Sequence, residues 1–255
     1  MMISDRLTRD DDTGLAYRRT EGEGTEVVFL SGFRSDMEGS KAVAMEAHVA
    51  GQGRPYTRFD YRGHGISDGR FEDLCLSDWL DDTLLVLDRL VKGRAVLIGS
   101  SMGGWLMLLA ARARPDKVAG LVGIAAAPDF TEDLMRPSLT PAQKEALERD
   151  GVFHEPSPYG EPLPITRRLL EDGERHLVMR QPIDFAGPVH LLQGQEDPDV
   201  PWMTAVNLAA NLASPAVTVE LVKDGDHRLS RPEDLRRIAA ACERVLAQVE
   251  GRPFS

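Results

Sequence analysis

The pentapeptide Gly99-Ser100-Ser101-Met102-Gly103 narrows the possible folds of this chain more than any other feature. It follows the apolar run Ala95–Gly99 directly and opens the helix-length amphipathic stretch Met102–Ala113. G-x-S-x-G between a strand and a helix is the sharp turn that lifts a serine hydroxyl above the edge of a parallel sheet. Small residues flank the serine because the strained turn brings the strand and helix backbones together.

The rest of the chain supplies the sheet that such a turn requires. Apolar runs recur at Val27–Leu30, Tyr56–Tyr61, Ala95–Gly99, Val118–Ala125, Val189–Leu192 and Ala216–Val222, continuous as in strands buried on both faces. Amphipathic stretches of helical length separate them at Glu38–Ala50, Leu76–Val91, Met102–Ala113, Trp202–Leu212 and Pro232–Val249. The alternation predicts an α/β fold, with a mostly parallel central sheet and helices on both faces. One region interrupts it. Residues 128–187 are rich in proline, contain short helical pieces at Pro141–Arg149 and Ile165–Leu170, and show no strand-like run. They predict an inserted helical lid above the ends of the strands, with 1–127 and 188–255 forming the core.

Composition excludes several classes of function. At 255 residues, with 42% hydrophobic and 28% charged side chains, the chain can bury a large core and is not disordered. With 30 Lys and Arg against 41 Asp and Glu, its net charge of −11 argues against a nucleic-acid or anionic-membrane partner. No apolar run approaches the roughly 20 residues of a membrane span. The two cysteines, Cys75 and Cys242, form no CxxC and read as free thiols of a reducing compartment. Met1–Asp12, with four aspartates and no apolar stretch, reads as neither a signal nor a transit peptide, so a cytoplasmic location is expected. Histidine and cysteine spacings match no zinc motif, and no cofactor or metal is expected.

A serine hydroxyl needs a base to take its proton and a carboxylate to orient that base, in the chain order Ser, acid, His. Of the six histidines, His48 and His64 precede the nucleophile, His154 and His176 belong to the inserted region, and His190 sits inside an apolar strand. His227, on the loop after Ala216–Val222, remains as the base. The acid is expected in Gly194-Gln195-Glu196-Asp197-Pro198-Asp199-Val200-Pro201, where Asp197 is favoured because the following proline helps fix its loop; Asp199 and Glu196 stay open. The backbone N–H groups of Met102 and Phe33 are the expected oxyanion donors. Leu134, Met135, Leu139, Val152, Phe153, Leu169 and Leu170 offer apolar surface for an acyl chain. Asp60-Tyr61-Arg62-Gly63-His64-Gly65-Ile66-Ser67 reads as a structural turn after a strand, because its glycine spacing does not continue as a dinucleotide fingerprint.

The elbow, the D-x-R-G-x-G-x-S turn and the acid loop together resemble the α/β-hydrolases. Within them, Arg58-Phe59-Asp60-Tyr61, Gly103-Gly104-Trp105-Leu106-Met107, Gly151-Val152-Phe153 with Pro156-Ser157 and Tyr159, Val200-Pro201-Trp202 and Asp226-His227-Arg228 resemble a branch of mitochondrial hydrolases described as palmitoyl-protein thioesterases and acyl-glucuronide esterases. The resemblance implies Ser101 as nucleophile, Asp197 as acid and His227 as base; Phe153, Trp202 and Arg228 are expected to contact substrate. It implies a serine hydrolase of small-molecule esters or acyl-thioesters, S-acylated proteins included; a monomer or homodimer is expected. The same triad serves C–C bond hydrolases and other carboxylesterases, and the same fold serves non-catalytic receptors.

Overall fold

In the computed structural model, which describes residues 5–156 and 162–252, the apolar runs pair into an eight-stranded sheet. The strands are β1 (Asp5–Thr8), β2 (Gly14–Thr20), β3 (Glu26–Leu30), β4 (Tyr56–Phe59), β5 (Ala95–Ser100), β6 (Val118–Ile124), then β7 (Val152–Glu155) and β8 (Leu163–Thr166), which pair only with each other, and finally β9 (Val189–Gly194) and β10 (Val217–Val222). Across the sheet the order is β1-β2-β4-β3-β5-β6-β9-β10. From β4 to β10 all pairs are parallel, while β1 and β2 form an antiparallel edge. That edge was not legible in the sequence, because Asp5–Thr8 and Gly14–Thr20 carry charged residues where the other strands are apolar.

The connecting helices are α1 (Ser40–Gly51), α2 (Leu76–Arg89) and α3 (Met102–Ala113). Between β6 and β9 come a π turn over Thr131–Met135, α4 (Arg136–Ser138), α5 (Pro141–Asp150) and α6 (Arg167–Glu174), and α7 (Met203–Asn211) and α8 (Pro232–Val249) complete the set. Alternation along β5 shows how the sheet is covered. Leu97 joins Val28 and Trp105 in the core on one face, whereas Val96 and Ile98 join Val245 and Leu246 on the other. Successive side chains point to opposite faces, and each such burial stabilises the fold by about 1.5–3 kcal/mol. β3 lies between β4 and β5, so the connections leaving its neighbours diverge and open a crevice at the strand C-termini, where ligands bind in folds of this kind.

The segment between β6 and β9 differs from the all-helical expectation. It contains the β7–β8 hairpin, and Ile165 lies in β8 instead of a helix. The helix starts two residues later, at Arg167, because the Thr166 hydroxyl caps it by accepting the Leu169 N–H at 3.1 Å. Four-residue strands carry too short an alternation to read, and Pro164 argues against a strand except in an edge ribbon of this type. Ser157 and Tyr159 of the resemblance lie outside the described residues. Leu147, Phe153, Ile165 and Leu170 form a separate small core, against which Phe33, Met135, Leu139 and Leu163 pack. Asp172 of α6 ties the segment to the sheet domain, accepting the Ser77 N–H and hydroxyl, both at 2.7 Å, at the start of α2.

Candidate active site

Ser101 stands between β5 and α3 with φ 52° and ψ −115°, a conformation that costs an L-residue about 1–3 kcal/mol and persists only where its surroundings enforce it. Here they do. The Ser101 N–H donates to Ile124 O at 2.9 Å, and the Ser101 carbonyl accepts from Gly104 N–H at 2.8 Å and Ala127 N–H at 3.1 Å. Gly103 is required by crowding, since a Cβ there would sit 2.0 Å from Leu30 O.

The loop after β10 carries His227 to this serine, and the loop after β9 carries Asp197 to the histidine. His227 Nε2 lies 3.2 Å from Ser101 Oγ, and His227 Nδ1 lies 2.8 Å from Asp197 Oδ2. A carboxylate only accepts, so Nδ1 carries the proton and Nε2 faces the serine as an acceptor. The Asp197 side chain is fully buried, which by itself raises its pKa. Donation from His227 and from the Val200 and Asp199 N–H groups more than offsets this and holds the carboxyl below its ordinary value. Gln193 Nε2 adds a further donor at 2.8 Å. Asp199 is exposed and supplies its backbone N–H to Asp197, and the Glu196 backbone N–H donates to Gly225 O while the His227 ring bonds to Asp197 and Ser101.

Met102 begins α3, so its N–H lies at a helix N-terminus with no carbonyl one turn before it. Gly32 and Phe33 line the same cavity as the serine, and a Cβ added to Gly32 would lie 3.4 Å from Ser101 Cβ. The Phe33 ring is fixed edge-on by Phe71 at 5.0 Å, Trp79 at 5.8 Å and Phe130 at 5.8 Å.

A cavity of about 500 Å³ adjoins Ser101 and His227 and reaches along the loop after β3 to the first turn of α1. Its charged lining comprises Arg34, Lys41 and Arg228 with Asp36 and Asp199. Lys41 Nζ donates to Arg228 O at 2.6 Å, and burial, reinforced by the neighbouring Arg228 charge, pushes Lys41 down to about 8. Arg228 was expected at the substrate; Arg34 and Lys41 were not, and no local pattern singles them out. Phe153 and Trp202 are not among the lining residues. Trp202 stands at the start of α7, 37% exposed, and Phe153 is enclosed in the small core of the inserted segment. Burial of Phe153 changes what truncation does. Phe153→Ala will lower the melting temperature and reduce turnover of short and long acyl esters together, since a buried Phe→Ala exchange costs about 3–5 kcal/mol. Thermal melts with acetate and long-chain thioester assays on one preparation check this, and a loss confined to the long chain contradicts it.

Among the described residues, Asp197, Asp199 and His227 form a group compact enough to hold an ion, with ligand atoms within 4.8 Å of one another. The bond between His227 Nδ1 and Asp197 accounts for that closeness without one.

A parallel sheet with a serine on a strained strand-to-helix turn and a histidine–carboxylate pair within reach defines a serine hydrolase of the α/β-hydrolase type. The chain belongs to the Alpha/beta hydrolase family, matching it over residues 27–241. It is 40% identical over 234 residues to palmitoyl-protein thioesterase ABHD10, mitochondrial, of Bos taurus, covering 90% of this chain and 76% of that protein. The human protein of the same name is 38% identical over 232 residues, covering 90% and 76%. Among solved structures, alpha/beta hydrolase domain-containing protein 10 from mouse superposes with a TM-score of 0.89 at 35% identity, covering 97% of this chain and all (100%) of that one. A structure from Agrobacterium vitis S4 superposes with a TM-score of 0.91 at 42% identity, covering 96% and 98%. Among the described residues, no helix is long and apolar enough to cross a membrane.

Proposed function

We propose that the protein cleaves carboxylic esters and acyl-thioesters through an acyl-enzyme on Ser101. The observation that carries this reading is the unbroken chain from Asp197 Oδ2 through His227 to Ser101 Oγ, at 2.8 and 3.2 Å. His227 Nε2 takes the Ser101 proton as Oγ attacks the acyl carbon, Asp197 stabilises the resulting imidazolium, and the N–H groups of Met102 and Phe33 receive the oxyanion. The imidazolium then protonates the departing alcohol or thiol. Water, deprotonated by the same nitrogen, releases the acid. In this reading 128–187 is a lid over the crevice, and no metal or cofactor takes part.

The relatives' name supports S-acylated proteins as one substrate class. The charge on the cavity wall supports a second, esters whose leaving group carries a carboxylate, as acyl glucuronides do. Two buried free thiols suit a reducing compartment, and a cytoplasmic, monomeric or homodimeric enzyme is part of the same proposal. The test compares phenyl acetate with 4-carboxyphenyl acetate. Lys41→Met will cut kcat/KM for the carboxylate ester about tenfold more than for the neutral one, the scale of one charge-assisted hydrogen bond. In the unmodified enzyme the same preference will fade as pH rises through 8, where the ammonium loses its proton. Equal losses on both esters remove the carboxylate class. A panel of p-nitrophenyl esters and acyl-thioesters of rising chain length then locates the acyl pocket.

A further inference from the structure

The turn motif around His64 is not used by the mechanism above, yet it meets the oxyanion loop directly. His64 is 4% exposed, with Tyr61, Phe71 and Trp79 set edge-on to its ring at 5.5, 5.2 and 5.2 Å. Its Nδ1 lies 3.2 Å from Arg62 O, and its Nε2 lies 3.2 Å from the backbone nitrogen of Arg34. A carbonyl oxygen can only accept and a backbone N–H can only donate. Both contacts are satisfied together by a single form of the ring, neutral, with the proton on Nδ1 and the Nε2 lone pair on Arg34 N–H. Burial favours that neutral form, pushing the imidazole down to about 4.

Arg34 needs such a restraint. Its φ of 56° is a left-handed conformation unfavourable for a residue with a side chain, and it directly follows Phe33, whose N–H is assigned to the oxyanion. The Phe33 ring is held by Phe71 and Trp79, two of the three rings that enclose His64. One aromatic cluster thus grips the side chain of residue 33, and the imidazole inside that cluster grips the backbone of residue 34. The other residues of the motif aim the ring. Asp60 accepts Met37 N–H at 2.6 Å and Ile66 N–H at 3.0 Å, and Gly65 permits this because a Cβ there would lie 2.1 Å from Asp60 Oδ2. Arg62 N–H and Nε both donate to Asp82 at 2.8 Å, fixing the carbonyl that selects the tautomer.

We propose that His64 is a positioning residue for the oxyanion hole: by accepting the Arg34 N–H it holds the loop after β3 in the strained form that aims the Phe33 N–H at the developing charge. This rests on the acyl-enzyme reading above. Removing one oxyanion donor costs about 10²–10³ in kcat, and a displaced donor costs part of that.

The experiment uses the full chain with p-nitrophenyl acetate and a trifluoromethyl ketone, whose adduct with Ser101 carries an oxyanion. His64→Phe keeps an aromatic ring in the cage and loses the acceptor, while His64→Gln can return an oxygen to the place of Nε2. The expected result for His64→Phe is a kcat lower by about 10–100-fold with KM near that of wild type, and ketone inhibition weakened by a similar factor. His64→Gln should recover most of both. A His64→Phe enzyme with wild-type kcat overturns the proposal, as does a Gln variant that loses as much as Phe. A fall in KM and kcat that tracks a lower melting temperature, with ketone affinity intact, assigns His64 to packing and also overturns it. Wild-type turnover that is independent of Ser101 would instead defeat the acyl-enzyme reading, so the two failures are separable.

Discussion

Ser101→Ala will abolish ester and thioester turnover, by about 10⁶ in kcat, while leaving the fold and melting temperature close to those of wild type. The size of the loss follows from the geometry. Among the described residues, no other hydroxyl hydrogen-bonds to His227 Nε2, and the oxyanion donors cannot act without a nucleophile to build charge in front of them. The fold should survive because Ser101 is held through its backbone, by Ile124 O and by the Gly104 and Ala127 N–H groups, none of which involves Oγ. Ester hydrolysis on purified variant and wild type, with fluorophosphonate labelling of both, checks it. Turnover by the alanine variant at the wild-type rate would remove Ser101 from the chemistry.

Asp197→Asn will lower kcat by about 10⁴ with little effect on KM, the loss seen when a triad imidazole is held in the wrong tautomer. The carboxylate accepts from His227 Nδ1, Gln193 Nε2 and the N–H groups of Asp199 and Val200. An asparagine must turn its NH2 toward one of these donors. Toward His227 it forces the ring proton onto Nε2, which then cannot take a proton from Ser101. Toward Asp199 and Val200 it leaves two backbone donors unpaired in a buried loop. Asp199→Asn will lose far less, because Asp199 supports the site through its backbone N–H, which the substitution keeps. Steady-state kinetics of the two variants side by side decide the matter, and the reverse ranking would move the acid role to Asp199.

Phe153, expected at the acyl pocket, is enclosed in the segment's own core, whereas Leu163 of β8 packs against that core and also lines the cavity beside Ser101. An apolar residue in a short, proline-interrupted stretch has no period from which its direction can be read. Burial in a local core and exposure to a ligand leave the same mark in the sequence.

What the sequence determined by itself was whatever depends on neighbours along the chain. The strands β3 to β6, β9 and β10 are runs of apolar residues, and the elbow is a strand, a small-residue turn and a helix within some twenty positions, so each is specified by local propensity and packing. The order Ser101, Asp197, His227 follows from that frame, because a parallel sheet presents the loops after its strands at one edge. Only the tertiary structure shows that Asp197, and not Asp199 two residues further on the same loop, places an oxygen 2.8 Å from a ring thirty residues away. It alone brought Arg34, Lys41 and Arg228 to one cavity wall and His64 to the backbone of Arg34. These contacts join separate loops through space, and their energy depends on distances of a few ångströms that no spacing along the chain encodes.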